Sequence, residues 1–155
     1  MKKKTNMLYM AGMALLFTLC CTACSHMKVG YLRTTGASFS PDSINAFHNV
    51  DPTSEQYIEK IPFVSTRIQG VAGTHPINYE LAHVKADNAT AAQLFMKLYH
   101  EQLISVAGGM VVVTQEATKQ LPNGHLTFRI FNDDHEALLE NVFKVVVTDD
   151  ELPLS

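Results

Sequence analysis

The apolar residues of the chain fall into short runs of two-residue spacing, separated by frequent turn residues. In residues 125–131 (HLTFRIF), Leu126, Phe128 and Ile130 alternate with other side chains and share one face of a predicted strand. Residues 142–148 (VFKVVVT) repeat the pattern, with Phe143, Val145 and Val147 on the core face and Val142, Lys144 and Val146 opposite. The turn Leu121-Pro122-Asn123-Gly124 leads into the first run, and polar residues 132–136 separate the two, which predicts a long hairpin. Upstream, Ile77, Tyr79 and Leu81 alternate within 77–83, and 110–114 (MVVVT) has the uninterrupted apolar character of a central or fully buried strand. Residues 29–33, 37–40 and 63–68 are shorter candidates. Short strands at this spacing predict a sandwich or barrel rather than a helical bundle.

One segment departs from the pattern. Residues 88–104 (NATAAQLFMKLYHEQLI) lack Gly and Pro, place Ala91, Leu94, Phe95, Leu98 and Gln102 on one stripe, and have Asp87 or Asn88 available as a cap. Propensity predicts a helix here.

The amino terminus has a different character. Lys2, Lys3 and Lys4 precede thirteen uncharged, mostly apolar residues, 7–19. A bilayer core of about 30 Å needs roughly 20 helical residues, so this run is short for a span and suits the core of a signal peptide. Behind it, Cys20-Cys21-Thr22-Ala23-Cys24-Ser25 resembles the lipobox of bacterial lipoproteins, with Cys21 where Leu is usual. Cys24 is the preferred attachment site because Thr22 and Ala23 supply the small residues before it; Cys20 and Cys21 are the alternatives. The resemblance implies a signal peptide at 1–23 and a Cys24 carrying a diacylglyceryl thioether and an acyl amide such as palmitate. Two or three such chains, at about 0.8 kcal/mol per buried methylene, would hold the protein at the membrane. Ser25 stands where an Asp retains some lipoproteins at the inner membrane, so the resemblance points to the outer membrane, either leaflet.

Removing this leader changes the charge balance. The whole chain carries a formal −3, whereas residues 24–155 hold nine basic and fifteen acidic side chains, a net −6. An acidic chain without basic clusters argues against nucleic acid as a partner, because phosphates need grouped Lys and Arg. All three cysteines lie between positions 20 and 24, so no disulfide framework is available to the rest. The remaining length suits one domain, or one domain with a small appendage, that holds itself together by packing.

The carboxyl-terminal third, Leu121-Pro-Asn-Gly-His-Leu-Thr-Phe-Arg-Ile-Phe-Asn132 followed by Asn141-Val-Phe-Lys-Val-Val-Val-Thr148, resembles the ending of immunoglobulin-like and cadherin-like modules of bacterial surface proteins. Gly70 to Glu80 resembles an earlier turn and strand of that unit, and Gly109 to Val113 its middle strand. The front, Val29-Gly-Tyr-Leu32 with Ala37 to Ser43, is similar to a β segment behind the anchor in lipoproteins of glycan-degrading gut bacteria. The resemblance implies an all-β fold, an antiparallel immunoglobulin-like sandwich at 61–150, behind a linker and front segment at 24–60 and before a tail at 151–155. It implies a strand through Phe95 and Leu98, against the helical reading; a short helix at the sandwich edge near residues 88–104 reconciles the two. The fold itself implies no activity.

Candidate chemistry is sparse. The seven histidines (26, 48, 75, 83, 100, 125 and 135) form no HxH or HExxH set, and no zinc site is expected, nor any cofactor. Asp133 and Asp134, with Asp149 and Asp150, lie where cadherin-like domains bind calcium, and are weak candidates beside their reading as a solvated turn and chain end. Ser65 and Ser105 lack a nucleophile elbow, and a carboxylate pair such as Glu80 with Asp87 is one that any acidic protein offers, so no enzyme is expected. Binding remains. Sugar platforms use exposed aromatic rings; Trp is absent, and Tyr57, Tyr99 and Phe131 are the candidates, Phe131 because it is out of phase with the core face of its strand. The expectation is a non-catalytic envelope module that captures a glycan, or else a structural or adhesive subunit that recruits an envelope protein through an open strand edge.

Overall fold

The computed structural model describes residues 29–150; the leader, Cys20, Cys21, Cys24 and the tail lie outside them. The described chain is mostly β, with few helices. In order, it forms β1 (Leu32–Arg33), β2 (Ser43–Asn49), α1 (Glu55–Ile58), β3 (Phe63–Val64), β4 (Ala72–Gly73), β5 (Asn78–Lys85), α2 (Ala89–His100), β6 (Ile104–Ala107), β7 (Met110–Val113), α3 (Gln115–Thr118), β8 (Gly124–Phe131) and β9 (Glu136–Asp150). One sheet has the order β2-β9-β8-β5, a second β3-β7-β6, and β1 pairs β4 alone.

The hairpin β8–β9 is the spine of the larger sheet. Leu126, Phe128 and Ile130 are buried, as their alternation predicts, and Phe143 and Val145 face the same core. The turn is tighter than residues 132–136. Asn132 Oδ1 accepts from the amides of His135 (2.8 Å) and Asp134 (3.2 Å), and the Asn132 N–H donates to the His135 carbonyl, so the strand resumes at Glu136. Between the pairs Phe128↔Leu139 and Leu126↔Phe143, β9 carries extra residues. There Asn141 adopts φ 52° and donates its N–H to Thr127 Oγ1 at 3.2 Å, which satisfies a fully buried hydroxyl.

The sheet is completed by antiparallel β5 on one side and by β2 on the other, the latter running parallel to β9 from Ser43↔Lys144 to Phe47↔Thr148. In the smaller sheet β7 is central: Val111 and Val113 are buried, Met110 and Val112 half-buried. Gly108 and Gly109, at φ 56° and 82°, form the two-residue turn from β6, a geometry that matches the strand twist and suits glycine.

Residues 88–104 contain the helix α2, not the strand that the immunoglobulin-like resemblance implies. Ala, Leu, Met, Gln and Lys dominate it, Asn88 Oδ1 caps it by accepting from the Ala91 N–H at 2.8 Å, and the stripe predicted from sequence buries Phe95 and Leu98 completely. The helix stops at His100, earlier than the apolar stripe suggests. Gln102 takes φ 61° and the Leu103 N–H donates to the Leu98 carbonyl, turning the chain into β6.

Both sheets and α2 feed one core. Residues before position 60 take part in it: Phe39, Ile44, Ala46 and Val50 are buried there, and the Phe39 ring lies 4.5 Å from Phe143 and 5.4 Å from Phe128. Burial of Phe39, Ile44 and Val50 contributes roughly 1.5–3 kcal/mol each, which ties the front of the chain to its last hairpin. Of the short candidates, 29–33 yields only β1, 37–40 a single bridge from Ser38 to Gln69, and 63–68 yields β3.

Candidate functional site

The antiparallel pairing of β3 with β7, Phe63↔Val113, brings two distant stretches to the same end of the smaller sheet: the residues leading into β3 and those leaving β7. Each stretch makes one helical turn. Before β3, Asp51 Oδ1 accepts from the Thr53 amide (2.8 Å) and hydroxyl (2.7 Å), and Ser54 caps α1 by accepting from the Tyr57 N–H. Those two bonds, the amide first, hold the Asp51 carboxyl below its ordinary pKa. After β7, Thr114 caps α3 by accepting from the Ala117 N–H at 3.2 Å while its own hydroxyl donates to the Leu103 carbonyl at 2.9 Å. Gln115 then joins the two turns, its amide nitrogen donating to the Gln56 carbonyl and, at 3.1 Å, to the Ile61 carbonyl.

Between these turns lies a cleft of about 710 Å³. Pro52, Tyr57, Ile58 and Lys60 line one wall; Thr114, Gln115, Glu116 and Lys119 line the other. Tyr57 is 47% exposed, so its ring has a face available in the cleft. Lys60 closes α1 with φ 51°; its N–H donates to the Tyr57 carbonyl, and the Ile61 N–H donates to the Gln56 carbonyl. Among the described residues neither Lys60 nor Lys119 forms an ion pair, and neither does Glu116. An aromatic ring beside unpaired cations, a carboxylate and an amide can stack on an apolar ligand face while bonding hydroxyls or anions around its rim.

The other aromatic candidates sit elsewhere. The Tyr99 hydroxyl accepts from the Leu81 N–H at 3.3 Å, tying α2 to the irregularity in β5, and its ring is half-buried. Phe131 is half-buried at the hairpin end, with the Arg129 guanidinium 4.3 Å from its ring centroid. Arg129 in turn donates to Glu136 (2.7 and 3.0 Å) and Glu80 (3.2 Å), and these carboxylates, Glu136 first, raise its pKa above the ordinary value. Tyr57, Tyr99 and Phe131 therefore do not converge on one site.

The calcium candidates lie at opposite ends of the 15-residue strand β9, too far apart to share one ion. Asp134 accepts from the Val29 N–H at 3.0 Å, and Asp149 lies 3.5 Å from His48 Nδ1. Among the described residues no three His, Cys, Asp or Glu side chains come together as a metal site. His83 and His100 do line a common crevice between β5 and α2, of about 620 Å³, but its floor is the apolar set Val84, Ala92 and Met96. Ser65 is structural: its hydroxyl donates to the Thr66 carbonyl and accepts from the Val111 N–H.

Lys60, Gln115, Glu116 and Lys119 were not expected from the sequence. Ser54 before EQYIEK and Thr114 before QEATKQ are cap signals that would have found both helical turns, though not their proximity. No helix among the described residues is long and apolar enough to cross a membrane. No protein family, curated protein or solved structure matches the chain.

Proposed function

We propose that the protein is a lipid-anchored, non-catalytic binding module of the bacterial outer membrane that captures a glycan in the cleft between α1 and α3. The observation that carries the reading is the half-exposed Tyr57 ring set among polar side chains that the protein leaves unpaired. A binding role is favoured over hydrolysis because Glu116 is the single acid among the residues lining the cleft, while Glu80 is engaged by Arg129. The anchoring half of the reading rests on the Cys24 motif.

The fold we propose is the immunoglobulin-like sandwich. Setting aside the small β1–β4 pair, the second, fifth and fourth strands form one sheet and the third, sixth and seventh form the other, which is the division of such domains. Here the first of these strands, β2, pairs with the last.

Two measurements test the function. Oligosaccharide binding to the purified protein, read by calorimetry, is expected to disappear in Tyr57→Ala while stability changes by no more than about 0.5 kcal/mol. Labelled palmitate is expected to enter the wild type and not Cys24→Ala. A second reading, assembly with another envelope protein, has its own support in the exposed Ile58, Ile61 and Val64 beside the short edge strand β3. Cross-linking to a membrane protein that survives Tyr57→Ala and is lost in Val64→Lys would favour it.

A further inference from the structure

We infer that the ligand of this cleft is an acidic saccharide, one bearing carboxylate or sulfate groups; the inference rests on the cleft being a glycan site. Residues 24–155 are acidic overall, yet two of their nine basic residues, Lys60 and Lys119, line this one cavity from opposite walls. Glu116 is the one opposing charge in the lining, and Glu55 and Glu59 of the neighbouring turn do not line it. The cleft is thus a cationic site on an anionic protein. Its two ammonium groups, unsatisfied by any carboxylate of the described chain, are placed to receive an anion from outside.

Lys60 supplies a second, independent sign. It occupies the left-handed position that ends α1, with φ 51°, where glycine is the unstrained choice and a side chain carries a conformational cost. Nothing in the packing of the described residues uses its exposed ammonium, so fold stability alone would favour glycine there. Strain tolerated at a residue whose side chain enters a cavity marks a position held for what that side chain binds.

The test uses the full-length lipoprotein in detergent and a panel of uronate and sulfate oligosaccharides, each beside its carboxyl-reduced or desulfated counterpart, with binding read by calorimetry. The acidic members are expected to bind at least about tenfold tighter than their neutral counterparts at low salt, and the preference should shrink as salt screens it. Lys60→Gly should abolish the preference while leaving Tm unchanged or raised, Lys60→Arg should keep it, and Glu116→Gln should increase it. Equal binding of acidic and neutral members overturns the inference and leaves the glycan site standing. Absence of binding by every member overturns both. Tighter binding to phosphatidylglycerol-containing than to phosphatidylcholine-only vesicles that is lost in Lys60→Gly, with none to the acidic saccharides, assigns the cationic cleft to the membrane surface and overturns both as well.

Discussion

The hairpin end at Asn132–His135 and the cleft between α1 and α3 are both rich in polar and aromatic side chains, but they dispose of them in opposite ways. At the hairpin end the protein consumes its own groups. Asn132 holds the turn through its Oδ1 and reaches across through its Nδ2 to the carbonyls of Tyr31 and Thr74; His135 contacts the Gly30 carbonyl, Asp134 the Val29 amide, and Arg129 covers Phe131. In the cleft, the bonds of Ser54, Thr114 and Gln115 build the walls, and Tyr57, Lys60, Glu116 and Lys119 are left to the solvent. A dense polar sequence therefore does not identify a site; unconsumed hydrogen-bonding and charged groups in a concavity do.

This contrast has measurable consequences. Asn132→Ala removes four hydrogen bonds, two that hold the turn and two that tie it to the carbonyls of Tyr31 and Thr74, and should cost about 2–3 kcal/mol in urea unfolding with saccharide binding intact in the folded fraction. A loss below about 0.5 kcal/mol would mean that the clamp is decorative. Gln115→Ala severs the link between the two cleft walls. It should cost about 1–2 kcal/mol and weaken binding, so that structure and function move together at this position only. The smallest effect concerns Asp51. Because its folded pKa is lowered, it contributes stability above its ordinary value of 3.8, and that contribution is lost as pH falls through the folded value. The gap in Tm between the wild type and Asp51→Ala is therefore expected to be full near neutrality and to close below about pH 4.

The parts of the fold visible in the sequence are those whose signal is local. Alternation placed Leu126, Phe128 and Ile130 in the core, and the Ala91-Leu94-Phe95-Leu98 stripe marked α2. Among those that escaped, β2 and β6 did so for distinct reasons. β2 (SINAFHN) buries only Ile44 and Ala46 and finds its partner about a hundred residues away, so nothing near it announces pairing. β6 (ISVA) merged with the apolar stripe of α2 because the break between them uses Gln102 in the left-handed region rather than a glycine. The cleft was half legible. Tyr57 was a candidate for its aromatic ring, but Lys60, Glu116 and Lys119 read as ordinary surface charges until β3 and β7 bring their segments together.

The parallel register between β2 and β9 also sets an order of events in folding. A chain emerging amino end first presents residues 43–49 about a hundred residues ahead of their partners at 144–150. Until then the apolar Ile44 and Ala46 have an open edge and no ladder, a long-range contact whose loop-closure entropy must be met before it rewards the chain. The step that seals the larger sheet is therefore the final one, and in the interval the exposed edge of β2 is the point at which a holding chaperone would have most to protect.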